Sequence, residues 1–94
     1  MKWTVNIEGK SNQRIIIKFD PKNEVILFIG QYKPHNKEWV DFSEITHVMN
    51  IDLEAIKILI EKTYDLMKVR IDAYNNINEG FTLIKNIEIK EDEK

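Results

Sequence analysis

SEITHVMNIDLEAIKILI, residues 43–60, holds the change of period on which the fold depends. Up to Asn50 apolar and polar residues alternate, as in half-buried strands. Beyond it apolar residues return every third or fourth position, as on one side of a helix. Asn50 is a good helix cap, and Asp52 and Glu54 fall in the first turn, where the helix dipole favours acids. Neither Gly nor Pro interrupts the chain again before Gly80, and Asn75, Asn76 and Asn78 mark the expected end. The spacing predicts one helix over about residues 51–76, roughly 37 Å long at 1.5 Å per residue.

Going forward along that helix, three faces separate. Leu53, Ile56, Ile60, Tyr64, Met67, Ile71 and Tyr74 form the stripe expected to meet the core. Glu54, Lys57, Glu61, Asp65, Lys68 and Asp72 form a charged face with opposite-sign neighbours one turn apart. Ala55, Leu59, Lys62, Leu66, Val69 and Ala73 recur at spacings of four and three, a second seam of the kind that pairs helices. That seam is expected to be a dimer interface; otherwise the end of the chain or a curled sheet edge covers it. After Gly80, Phe81, Leu83, Ile87 and Ile89 alternate with polar residues, so a C-terminal strand or arm is expected over 81–90, ahead of an acidic tail at 91–94.

Going backward from Asn50, four strands are expected. Trp3, Val5 and Ile7 alternate with Thr4, Asn6 and Glu8, and Gly9-Lys10-Ser11-Asn12 is a turn cluster. Arg14–Phe19 is a second strand, Asp20-Pro21-Lys22-Asn23 a turn, Glu24–Tyr32 a third strand, and the fourth starts near Glu38. Residues 43–49 suit its continuation or a loop equally. A turn at 20–23 would set Ile17 opposite Ile26 and Ile15 opposite Phe28, with Phe19 and Tyr32 on the same face. The third strand is apolar on both faces, so it belongs inside the sheet. The expected fold is α+β in a single domain of 94 residues: an antiparallel four-stranded sheet (2–49), then the helix, then the arm.

Composition narrows the function. The longest apolar run, Val25–Ile29, is far short of the roughly 20 residues of a membrane span, and Lys2 is followed by alternation rather than by a secretory signal's apolar segment. A cytoplasmic location with no membrane partner is expected. There is no cysteine, which excludes disulfides and thiolate chemistry. Net charge is −2, yet residues 1–42 carry seven Lys/Arg against five Asp/Glu, a balance of +2.

Catalytic groups are few. His35 and His47 stand twelve apart with no zinc motif, only three glycines exist to cradle a phosphate, and neither Ser11 nor Ser43 has a nucleophile-elbow context. Asp41, Glu44 and His47 recur every third residue but alternate in direction on a strand. No enzyme, metal or cofactor is expected. The more telling stretch is Tyr32-Lys33-Pro34-His35-Asn36-Lys37-Glu38-Trp39, a basic loop with an aromatic at each shoulder. Cations that track phosphate and aromatics that stack on bases are what single-stranded nucleic acid requires. Arg14 and Lys18 add cations on the neighbouring strand.

Four antiparallel strands followed by a long helix with a pairing seam resemble, in element order over residues 2–76, the Whirly, Pur-repeat and positive-cofactor-type coactivator group. The resemblance implies ββββα units that pair through their helices and bind single-stranded DNA or RNA on the sheet, in roles such as transcription. Arg14, Lys18, Lys33, Lys37 and Trp39 fall where that group would use cations and aromatics. The expected function is therefore non-enzymatic binding of single-stranded nucleic acid by a homodimer or higher oligomer, with Arg14, Lys18, Lys33 and Lys37 on phosphates and Tyr32 and Trp39 on bases. The rival expectation is a small homodimeric protein–protein adaptor or assembly subunit.

Overall fold

The computed structural model describes residues 1–35, 37–48 and 50–88. Four antiparallel strands, β1 (Lys2–Ile7), β2 (Lys10–Asp20), β3 (Val25–Tyr32) and β4 (Val40–Val48), lie side by side in chain order, and α1 (Leu53–Glu88) follows. This is the α+β class that the change of period implies. The chain continues as β4 through residues 43–48, so the stretch left open between strand and loop is strand.

The β2–β3 hairpin is registered differently from the expectation. Ile17 faces Phe28 and Ile15 faces Gly30. Asp20 still belongs to β2, and the turn is made by residues 21–24. Asp20 Oδ1 accepts the backbone N–H groups of Lys22 (3.1 Å) and Asn23 (3.3 Å), and the Asn23 side-chain amide donates to Oδ2 at 2.8 Å. Glu24 closes the turn at φ 56°, in the left-handed region. The slip is two residues, which preserves parity, so Ile15, Ile17, Phe19, Ile26, Phe28 and Tyr32 keep their common face.

That face carries the core. Ile15, Ile17 and Phe28 are its buried centre, with Ile26 and Ile45 of the sheet and Ile56, Leu59, Ile60 and Tyr64 of α1 packed on them. The helix lies over β3 and β4, comes near β2 and does not reach β1. Its approach is tightest at Gly30, where a Cβ would collide with Ser43 Oγ and stand 3.0 Å from Met67 Cβ. Ser43 and Thr63 are both buried at this crossing. Ser43 Oγ donates to the Thr63 carbonyl at 2.9 Å and Thr63 Oγ1 to the Leu59 carbonyl at 2.6 Å, so neither hydroxyl is stranded.

The helix differs from the expectation in four respects, three of them at its start and along its faces. Asp52, not Asn50, is its cap: Oδ1 accepts the Ala55 N–H at 2.8 Å, while Asn50 makes the preceding bend at φ 71°. Leu53 is 66% exposed rather than in the core, because it is the first helical residue and precedes the turns that lie on the sheet. Leu59, placed in the pairing seam, packs on the core instead.

At its other end α1 runs on to Glu88, past the expected end and through 81–88 of the expected strand or arm. Phe81, Ile84 and Ile87 also recur at helical spacing. A helix satisfies its own backbone where no neighbouring strand is available, and one interior glycine costs only about 1 kcal/mol against alanine. Residues 89–94, including the acidic tail, lie outside the described residues. Thirty-six helical residues make a rod of about 54 Å. The molecule measures 58 × 30 × 19 Å. No helix among the described residues is long and apolar enough to cross a membrane.

Candidate nucleic-acid interface

On the face of the sheet turned away from α1, Asn6, Arg14, Gln31 and Asp41 form one row across the four strands. Arg14 Nε donates to Gln31 Oε1 at 2.8 Å, and Gln31 Nε2 donates to Asp41 Oδ1 at 2.8 Å. The row depends on an irregularity in the β3–β4 ladder. Gly30 faces Ser43 and Gln31 faces Asp41, which leaves Phe42 over as a bulge. The bulge also brings Asp41 and Glu44 onto one face, where plain alternation separates them. His47, opposite Ile26, stays on the helix side. Among the described residues no three His, Asp or Glu side chains are placed to hold a metal ion.

Trp39, immediately before β4, closes the row from above. The Arg14 guanidinium carbon lies 3.9 Å from the Trp39 ring centroid, and Lys33 Nζ lies 6.0 Å from it. Arg14 is thus held twice, at Nε by an amide and at its plane by an indole. Cation–π pairing of this kind is worth about 0.5–2 kcal/mol.

Below Trp39 the first hairpin is distorted. Gly9 turns at φ 75°, Ile7 faces Lys10, yet Asn6 faces Arg14, so residues 11–13 bow out of the β1 ladder. The bowed segment and the Arg14–Trp39 pair border an open cleft of about 440 Å³. A second cleft of about 530 Å³ separates the hairpin tip from Lys33, Pro34 and His35. Gly9, Lys10 and Ser11 border both, so the tip is a ridge between them. The Lys33 N–H donates to the Asn12 carbonyl at 2.9 Å and ties the loop to the ridge.

Of the residues singled out in the sequence, Arg14, Lys33 and Trp39 come together. Lys37 is exposed in the same loop, its N–H bonded to the Pro34 carbonyl at 3.0 Å. Lys18 shares the Arg14 face but stands four residues away, about 13 Å along an extended strand. Tyr32 is committed elsewhere: its ring packs with Phe42 (centroids 5.2 Å) and Tyr74 (6.3 Å) against α1. The residues that sequence reasoning missed are Lys10 and Gln13, which enter through the bowed hairpin. Only the turn cluster beginning at Gly9 hinted at it.

The expected pairing seam divides. Leu59 belongs to the core, Ala55 is half-buried, and Lys62, Leu66, Val69 and Ala73 are exposed. Ile58 and Ile77, 50% and 59% exposed, continue the outward apolar strip. Compared with known proteins, the chain matches no family model, no curated protein and no solved structure.

Proposed function

We propose that the chain binds single-stranded nucleic acid, without catalysing a reaction on it, at the end of the sheet where the first hairpin meets the loop before β4. The observation that carries this reading is the Arg14–Trp39 stack, bordered by Lys33 and open to a cleft whose rim includes Lys10. An aromatic and a guanidinium offer faces to bases, and the lysines offer charge to phosphates. The element order supports it, being that of the ββββα group the sequence resembles. Lys10, Lys33 and Lys37 take the phosphate side, with Lys18 further along the Arg14 face. Trp39 takes the base side, and Tyr32 supports the loop from beneath. The active form is a homodimer through the outward strip of α1, which gives one strand two modest sites and raises affinity through effective concentration.

Titration of single-stranded DNA and RNA oligonucleotides across a salt series tests the proposal. Lys33→Ala/Lys37→Ala should weaken binding and reduce the salt slope by about 1.4 if both lysines meet phosphates. Trp39→Ala should cost about 1–3 kcal/mol with the slope nearly unchanged. If neither nucleic acid binds at low salt, the second reading takes its place: a homodimeric adaptor for another protein. That reading is favoured by the exposed strip of Ile58, Leu66, Val69 and Ile77.

A further inference from the structure

We propose that the cleft between the bowed start of β2 and Trp39 seats one unpaired nucleobase, with the Gln13 side-chain amide contacting its edge. The inference rests on the nucleic-acid reading above and narrows it from a surface that holds a strand to a seat for a single base. Its starting point is an orphaned atom. Gln13 Oε1 is shielded from solvent and has no hydrogen-bond partner, the one such side-chain atom among the described residues. A buried acceptor in this state carries its desolvation penalty with no compensation. Gln13 also lines the cleft of about 440 Å³. Gln13 stands opposite Tyr32, on the other face of β2 from Arg14, and meets the cleft where residues 11–13 leave the β1 ladder. Engaging a ligand's donor there breaks no hydrogen bond at Oε1.

The dimensions and walls suit a planar heteroaromatic ring. The volume falls within the range of about 300–1,000 Å³ typical of small-ligand sites. Trp39 supplies an aromatic wall, and Arg14, over its ring at 3.9 Å, supplies a guanidinium plane on which a base can stack. Asn6 brings a second amide and Lys10 a cation for the adjoining phosphate. An amide presents an acceptor and a donor side by side, as the hydrogen-bonding edge of an unpaired base also does. The hairpin ridge separates this cleft from the next, so successive bases cannot stack through both. The cleft takes one.

The test compares three ligands by fluorescence anisotropy at one low salt concentration: a short oligodeoxycytidylate, an abasic deoxyribose-phosphate strand of equal length, and a duplex. The base-bearing strand should bind at least about tenfold more tightly than the abasic strand, the scale of one stacked base, and more tightly than the duplex. Gln13→Leu should narrow the base-to-abasic ratio by about three- to tenfold, leaving abasic affinity unchanged and the thermal midpoint no lower, since it removes an unpaired buried acceptor. Equal affinity for the base-bearing and abasic strands overturns the base seat together with the Trp39 base contact, and leaves the phosphate contacts of the nucleic-acid reading standing. A Gln13→Leu variant that weakens both strands alike overturns the edge contact. Failure of all three ligands to bind removes the nucleic-acid reading itself, and the base seat with it.

Discussion

At residue 30 the sheet can carry no side chain, since Ser43 Oγ and Met67 Cβ already fill the place of a Cβ. Ser43 cannot turn aside freely, because its hydroxyl is bonded to the Thr63 carbonyl at 2.9 Å. Gly30→Ala should therefore destabilise the fold by about 1–3 kcal/mol in urea denaturation. Adding Ser43→Ala should recover part of the loss, and the absence of any recovery would place the strain elsewhere. Asp20 sets a second test at the same scale. The Asn23 side-chain amide, then its backbone N–H, hold the Asp20 carboxyl below its ordinary value of 3.8. A depressed carboxyl stabilises the fold above its unfolded pKa, and that contribution is lost as pH falls through the lower folded value. Thermal midpoints should accordingly drop on the acid side of about pH 3.8, by a small amount because the group is exposed. Asp20→Asn should remove that part of the acid dependence.

Among the elements, the start of α1 separates two residues that look alike in sequence. Both Asn50 and Asp52 are cap-forming types, but only Asp52 bonds the first turn. Asp52→Ala should cost about 0.5–2 kcal/mol. Asn50→Gly should be neutral or mildly stabilising, since φ 71° suits glycine better than any L-residue. The reverse order in thermal denaturation would return the cap to Asn50. The same elements show what was legible beforehand. Strand and helix were readable because Trp3, Val5 and Ile7 alternate while Ile56, Ile60, Met67 and Ile71 do not, and period reports which way side chains point. Hairpin register was not, because it hangs on the Asp20 carboxylate and on Glu24 in the left-handed region. Nor was the helix end, because Phe81–Ile87 satisfies both periods.

For the molecule as a whole, the outward strip of α1 is the test of assembly. Ile58, Leu66, Val69 and Ile77 are 45–67% exposed, and a second copy is the proposed cover. Leu66→Glu/Val69→Glu should convert a dimer to a monomer in light scattering. A parent that is itself monomeric at tens of micromolar, a concentration typical of moderate interfaces, removes the dimer. Half of the candidate site was open to sequence reasoning, since Lys33 and Trp39 share one loop and Arg14 a neighbouring strand. The cleft was not, because residues 11–13 leave the ladder for reasons of hairpin geometry that no pattern of residue types records. The placement of α1 over β3 and β4, short of β1, bears on how the fold opens. β2 and β3 are each flanked by strands on both sides, while β1 is held by β2 alone. Backbone amides of β1 should exchange with deuterated solvent through local fraying, whereas those of β3 should exchange only when the whole domain unfolds. The strand that forms one wall of the cleft is then the first to loosen, and a bound strand of nucleic acid would be read in its slowed exchange.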